Sequence, residues 1–149
     1  MATTIGTEDR FNDLVTNLIY LERDAIAAYD ATIERLSNPA LGEQVARFRE
    51  DHLQHLDTLN EMAREAGAEA PVEGDAKQML TTGKIVLADL MGDGAILKAM
   101  RTNEEDTVTA YSRAAGHAEA RPELVAFFEK ALSDETRHRD WMERTASAL

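Results

Sequence analysis

The fold and the predicted function of this chain are decided by two short stretches, Asp51-His52-Leu53-Gln54-His55 and Asp134-Glu135-Thr136-Arg137-His138. Residues three or four apart in a helix share one face, so each stretch directs a pair of polar side chains the same way. In the first stretch the pair is two histidines, and in the second it is a glutamate and a histidine. Each pair interrupts a row of apolar residues, which places it in the predicted core.

A second polar pattern precedes each stretch. Glu22 stands seven residues before Tyr29, and Glu104 stands seven residues before Tyr111. A spacing of seven also returns to the same helix face. The chain therefore aims carboxylates and imidazoles from four helices at one interior. Burying such groups without partners is costly, and a metal ion is a common compensation, so the pattern predicts a metal site.

Helical periodicity extends over most of the sequence and predicts an all-α protein. Each helix carries an apolar row that is broken near its middle by Glu or His, as a row along the first helix shows: Phe11, Val15, Leu18, Glu22, Ile26, Tyr29, Ile33, Leu36. A random polar residue would not fall at mid-length in all four helices. The predicted helix pairs cover residues 8–66 and 95–147, with a crossover over residues 67–94.

The two helix pairs repeat each other. Pro39 and Pro122 are 83 residues apart, as are His55 and His138, which indicates a duplicated two-helix unit. The crossover is long enough to run the length of a helix, and residues 76–91 within it are predicted to form a short helix. We expect it to let helix 3 start at the same end as helix 1. The prediction is one domain over residues 1–149, a four-helix bundle with one long crossover.

Composition limits the partners and the metal ligands that the chain could use. The formal net charge is −12, which argues against nucleic acid as a partner and is compatible with attracting cations. The chain has no cysteine, so any metal ligands must be carboxylates and imidazoles. The sequence offers no apolar run that would span a bilayer and no signal peptide at its start. We expect a cytoplasmic protein that does not bind membranes.

These motifs resemble the ferritin-like superfamily, which includes bacterioferritin and the bundle domain of rubrerythrin. Its di-iron proteins take one Glu from each of two helices and Glu-x-x-His from each of the other two. The resemblance makes Glu22 and Glu104 the single glutamates and matches Glu135-x-x-His138 to one full motif. It also implies that Asp134 accepts a hydrogen bond from a ligand histidine. Asp51 would do the same in the first half.

One position departs from the family pattern, because His52 stands where the first half should have Glu. A complete family set has four carboxylates and two imidazoles, whereas this chain offers three of each. His52 is either a metal ligand itself, a hydrogen-bond partner of a ligand, or a residue that gates the bundle. One iron ion, two, or a mixed occupancy remain open, and Zn²⁺ is an alternative because imidazole suits several transition metals.

The resemblance implies a non-haem iron protein that oxidises Fe²⁺ with oxygen or peroxide, a ferroxidase-type oxidoreductase, and a homo-oligomer. The tyrosines, Tyr29 and Tyr111, are either core aromatics with satisfied hydroxyls or hydrogen-bond donors and redox-active phenols beside the metal. A different class of function is a metal-free or weakly metal-binding structural or stress-response bundle. A less favoured reading is a di-iron hydroxylase of a small organic substrate.

Overall fold

The computed structural model describes residues 3–67 and 90–149. These residues form four α-helices and no strand, which confirms the predicted all-α four-helix bundle. The helices are α1 (Phe11–Arg35), α2 (Pro39–Glu65), α3 (Asp93–Ala115) and α4 (Pro122–Ala148). The short helix predicted over residues 76–91 lies almost wholly outside the described residues. No described helix combines the length and the apolar character needed to cross a membrane.

Local signals in the sequence set the helix ends. The side chain of Asn38 accepts a hydrogen bond from the Ala40 N–H and so caps α2, and Pro39 occupies the first turn, where its missing N–H costs nothing. Gly67 follows α2 with a φ of 71°, a left-handed conformation that glycine adopts without strain. Helix α1 begins at Phe11, three residues later than the predicted start at residue 8.

The core consists of two apolar clusters with a polar layer between them. The first cluster includes Leu18, Tyr111 and Phe128, and the second includes Phe48 and Met142, all of them at most 2% exposed. Each helix contributes to both clusters and to the layer that separates them. The rows of apolar residues broken at mid-length in the sequence therefore describe the real core. Burial of the two clusters fixes how the helices face one another, and that fixes the layer.

The helix directions correct one prediction. Helix α1 starts beside the first apolar cluster and ends beside the second, whereas α3 runs from the second to the first. Helix α3 therefore starts at the opposite end from α1, and the expectation that they start together is wrong. The prediction overlooked that α2 already ends beside the start of α1. A connection that spans the length of the bundle therefore brings the chain to the opposite end, where α1 ends. The described residues that bound this connection, Gly67 and Leu90, accordingly lie at opposite ends of the bundle.

Asp93 joins the start of α3 to the turn between α1 and α2. Its two carboxylate oxygens accept hydrogen bonds from the backbone N–H groups of Ser37, at 2.8 Å, and Asn38, at 3.1 Å. Asp93 is also an acid in the first turn of α3, where the helix dipole favours a negative charge. Gly92 occupies the N-cap position of α3, so Asp93 lies in the first turn and binds across the bundle end.

We predict that Asp93→Ala lowers the free energy of unfolding by about 1 kcal/mol, because two backbone N–H groups lose a charged acceptor. Denaturant unfolding followed by circular dichroism measures the change. The control is Glu43→Ala, an exposed acid on α2, for which we expect a change within about 0.5 kcal/mol. Equal effects of the two substitutions would show that the bonds between Asp93 and the turn contribute nothing.

Candidate metal site

The six predicted ligand residues meet in the polar layer. Each helix supplies at least one of them, and none is more than 2% exposed: Glu22, His52, His55, Glu104, Glu135 and His138. They form two groups, each with donor atoms that all lie within 4.8 Å of one another. The first group is Glu22, His52, His55 and Glu135, and the second is His52, Glu104, Glu135 and His138. Such groups have the donor chemistry and the spacing to hold a metal ion.

The two groups are related by the sequence repeat. Glu22 and His55 belong only to the first group, and their counterparts in the second half, Glu104 and His138, belong only to the second. His52 and Glu135 correspond to each other in the repeat, and each of them belongs to both groups. The helix pairs are therefore arranged about an approximate twofold axis, and the shared residues lie nearest to it.

Two histidines are oriented by aspartates from the other half of the chain. His55 Nε2 donates to Asp134 Oδ2, and His138 Nε2 donates to Asp51 Oδ2, each at 2.8 Å. Because an ionised carboxylate only accepts hydrogen bonds, the proton lies on Nε2 in both rings. Because Nε2 of each ring bonds to an aspartate at the edge of the layer, Nδ1 faces the interior, as a metal ligand would require.

Nearby cations keep these aspartates ionised. Burial raises the pKa of Asp134, but the hydrogen bonds from His55 and Lys130 outweigh it and hold that pKa well below its usual range. The pKa of Asp51 is also lowered, since its bonds to His138 and Arg137 outweigh partial burial. Arg137 reaches both aspartates, Asp51 at 2.8 Å and Asp134 at 3.3 Å. The sequence analysis did not predict this bridge.

Three potential ligand atoms at the centre of the layer make no hydrogen bond to any described residue: His55 Nδ1, His138 Nδ1 and Glu135 Oε1. His55 Nδ1 lies 3.2 Å from Glu135 Oε1, and His138 Nδ1 lies 3.5 Å from Glu135 Oε2. Two ligands bound to one ion at about 2.1 Å are roughly 3.0–3.4 Å apart, depending on the coordination angle. The first separation falls within the range for atoms that share an ion, and the second lies just above it.

His52 is placed differently from the other two histidines. Its Nδ1 lies 2.8 Å from Glu22 Oε2, and its Nε2 lies 3.3 Å from Glu104 Oε1. Burial lowers the pKa of His52, but the charges of Glu135, Glu22 and Glu104 raise it well above its ordinary value. In the absence of metal, His52 is therefore an imidazolium ion between two glutamates.

The tyrosine hydroxyls donate to the single glutamates across the bundle. Tyr29 Oη lies 2.5 Å from Glu104 Oε1, and Tyr111 Oη lies 2.7 Å from Glu22 Oε1. Burial and the neighbouring glutamates raise the pKa of both phenols well above the ordinary value, so both are protonated donors. This geometry fits a satisfied core aromatic and also a donor that orients a metal-binding carboxylate.

Thr107 joins the layer without having been predicted. Its hydroxyl oxygen lies 2.9 Å from Glu104 Oε2 and 3.0 Å from Glu135 Oε2, so it can donate to either carboxylate. Thr107 follows Glu104 by three residues, which is the signal that would have found it. The equivalent position after Glu22 is Ala25, so the two halves differ here.

A cleft of about 40 Å³ lies between α1 and α3 and reaches the edge of the layer at Tyr29 and Glu104. Asp24 and Asp106 line the same cleft. Burial raises the pKa of Asp24 to about 6. Asp57, on α2, is exposed.

We predict that Asp51→Asn weakens the binding of Fe²⁺ or Zn²⁺ by about 10–100-fold, because His138 loses the carboxylate that orients it and raises its basicity. Competition with a chelator of known affinity measures the change. The matched control is Asp57→Asn, the same substitution at an exposed position on the same helix, for which we expect no change. Equal affinities of the two variants would contradict the role given to Asp51.

We predict that metal-free protein loses stability as the pH rises from about 5 to about 8. Burial lowers the pKa of His138, so its contribution to stability rises up to pH 6.5 and partly offsets the other groups. Burial lowers the pKa of His55, but contacts with Asp134, Glu135 and Glu22 raise it from 6.5 to about 11. The folded state therefore keeps a proton that the unfolded state releases above pH 6.5, and this contribution to stability is lost as the pH rises. Burial and Glu135 raise the pKa of Glu104 from 4.5 to about 7. The folded state therefore keeps the proton of Glu104 above pH 4.5, and this contribution to stability is also lost as the pH rises. Glu22 behaves oppositely: burial raises its pKa, but His52 and His55 bring it to about 2, so its contribution is lost as the pH falls below 4.5.

Denaturant unfolding in the presence of a chelator, at about pH 5 and about pH 8, measures this dependence. His55→Gln is the comparison variant, and its stability should fall less between the two values. Stability that rises from the lower pH to the higher would contradict the charge states assigned to the layer.

Comparison with known proteins gives a family but no function. A family model described as a domain of unknown function, DUF2383, matches residues 8–117. The match contains Glu22, His52, His55 and Glu104, and it ends before α4. No curated protein and no solved structure matches the chain. Since the family model covers more than half of its length, the chain belongs to the DUF2383 family.

Proposed function

We propose that this chain is a ferritin-like, non-haem iron protein that binds Fe²⁺ in the polar layer and oxidises it with oxygen or peroxide. The observation that carries the proposal is the pair of four-residue groups of buried carboxylates and imidazoles, each with ligand atoms that lie within 4.8 Å of one another. Within the described part of the chain, His55 Nδ1, His138 Nδ1 and Glu135 Oε1 make no hydrogen bond, although His55 Nδ1 and Glu135 Oε1 attract each other at 3.2 Å. An ion bound between these atoms would satisfy them.

The charge balance of the layer points the same way. Glu22, Glu104 and Glu135 each lie within 4 Å of histidine nitrogens. The neighbouring cations Arg137 and Lys130 instead bind the outer aspartates. Divalent cations would take the place of the protons that His52 and His55 hold in the metal-free layer, and would neutralise the three carboxylates instead.

Each residue has a task in this proposal. Each bound Fe²⁺ would give up one electron to oxygen or peroxide and become Fe³⁺. The glutamates would hold the ion, and Asp51 and Asp134 would keep the Nδ1 atoms of His138 and His55 directed at it. Tyr29 and Tyr111 donate hydrogen bonds that orient Glu104 and Glu22. The apolar clusters on both sides of the layer exclude bulk water.

The cleft between α1 and α3 fits small reactants. Its volume of about 40 Å³ is close to that of one or two water molecules and far below the few hundred Å³ of a pocket for an organic ligand. Asp24 and Asp106 lie along it, and together with the net charge of −12 they would attract cations. This size supports metal ions and oxygen or peroxide as reactants, and it disfavours the hydroxylase reading.

A second candidate is a metal-free or weakly metal-binding structural or stress-response bundle, and the position of His52 favours it. As an imidazolium ion, His52 bonds to Glu22 at 2.8 Å and faces Glu104 at 3.3 Å, which neutralises part of the layer without metal. Buried polar groups of this kind can fix the register of packed helices. The two candidates differ in whether iron raises the melting temperature, because an ion bound only by the folded state must stabilise it.

Further properties belong to the same proposal. We place the chain in the ferritin-like superfamily as one domain, and we expect a cytoplasmic homo-oligomer, a dimer or larger. Zn²⁺ remains the alternative ion, since three imidazoles and three carboxylates suit it as well as iron.

The proposal predicts near-stoichiometric iron, one or two ions per chain, in protein purified from iron-supplemented cells. Elemental analysis of the Glu135→Ala, His138→Ala double variant should show almost none, because that variant loses ligands of both groups. The parent should also consume oxygen or peroxide when Fe²⁺ is added, and the variant should not.

The matched control is Glu129→Ala, His117→Ala, which removes the same residue types outside the layer and should retain the iron. Absence of metal in parent and variant, with both equally folded and with melting temperatures unmoved by Fe²⁺ or Zn²⁺, would overturn the proposal in favour of the structural bundle. Zinc in place of iron, without oxygen consumption, would overturn the oxidase part alone.

A further inference from the structure

His52 is the ligand-type residue that the two groups share from α2, and its ring is oriented unlike the other two imidazoles. In His55 and His138, one nitrogen bonds to an aspartate and only Nδ1 faces the layer. In His52, Nδ1 faces Glu22, in the first group, and Nε2 faces Glu104, in the second. Both nitrogens therefore face candidate ligand atoms, and they do so on opposite sides of the ring.

The partner of His52 in the repeat shows the same division. Glu135 Oε1 lies 3.2 Å from His55 Nδ1 in the first group, and Glu135 Oε2 lies 3.5 Å from His138 Nδ1 in the second. A carboxylate can bridge two ions through its two oxygens. An imidazole can do so only after losing both ring protons, because each nitrogen must then present a lone pair.

We propose that His52 bridges two metal ions as an imidazolate, with Nδ1 on the ion held by Glu22 and His55 and Nε2 on the ion held by Glu104 and His138. This inference rests on the proposed metal-binding function and adds the number of ions and the bridge between them. Both ring protons of His52 pass to the solvent when the ions bind.

Charge supports the bridge. Two divalent ions carry four positive charges, and the three glutamates carry three negative ones. With a neutral His52 the buried centre would keep one positive charge, which is costly in an apolar bundle. An imidazolate supplies the fourth negative charge. His52 thereby gives the layer the charge that a glutamate at this position would have supplied.

The test uses Cu²⁺ as a probe, because imidazole nitrogens bind it and each ion carries one unpaired electron. Two Cu²⁺ ions joined by an imidazolate couple their spins, so the parent protein with two equivalents of Cu²⁺ should lose most of its electron paramagnetic resonance signal at low temperature. His52→Ala should show the full, uncoupled signal. Added imidazole should restore the coupling, whereas 1-methylimidazole, which has one free nitrogen, should not.

His52→Gln is a second variant of similar size, in case His52→Ala fails to fold, and it should also be uncoupled. His117→Gln is the matched control outside the layer and should behave like the parent. One bound Cu²⁺ in the parent, two uncoupled ions, or coupling that survives in both His52 variants would overturn the bridge while leaving the metal site in place. A parent that binds no more Cu²⁺ than Glu135→Ala, His138→Ala would overturn the metal site and the bridge together.

Discussion

The constraint on which the rest of this structure depends is the burial of three carboxylates and three imidazoles in one layer of an otherwise apolar bundle. All six side chains are at most 2% exposed. Such groups can be kept from water only if hydrogen bonds, opposite charges or ions satisfy them. Neighbouring side chains supply part of these hydrogen bonds: aspartates accept from two of the histidines, and tyrosine hydroxyls donate to two of the glutamates.

The partnerships in the layer cross between the two halves of the chain. Tyr29 of α1 bonds to Glu104 of α3, and Tyr111 of α3 bonds to Glu22 of α1. Neither half could satisfy its tyrosine hydroxyls or its aspartate-bound histidines alone, because their acceptors lie in the other half. The layer thus couples the packing of the two helix pairs to the completion of the site. Metal binding and stability are linked for the same reason, since an ion would tie all four helices together.

The position where the chain departs from the ferritin-like pattern is also the position nearest the approximate twofold axis. A residue there faces both halves of the site, and this is why His52 can act in two ways. With both ring protons it pairs with Glu22 and Glu104 in the metal-free layer. In the proposed two-ion centre it would lose both protons and join the ions. The same residue would thus serve the metal-free layer and the metal-bound one.

The sequence by itself determined the four helices, the breaks at mid-length in their apolar rows and the six residues of the layer, because helical periodicity is local and the repeat states it twice. Tertiary structure decided the rest. The end from which α3 starts depends on how the helix pairs pack, and the pairing of Asp51 with His138 depends on which helices face each other across the bundle. Arg137 reaches Asp51 through the same packing. Such contacts join residues far apart in the chain, and no local spacing encodes them.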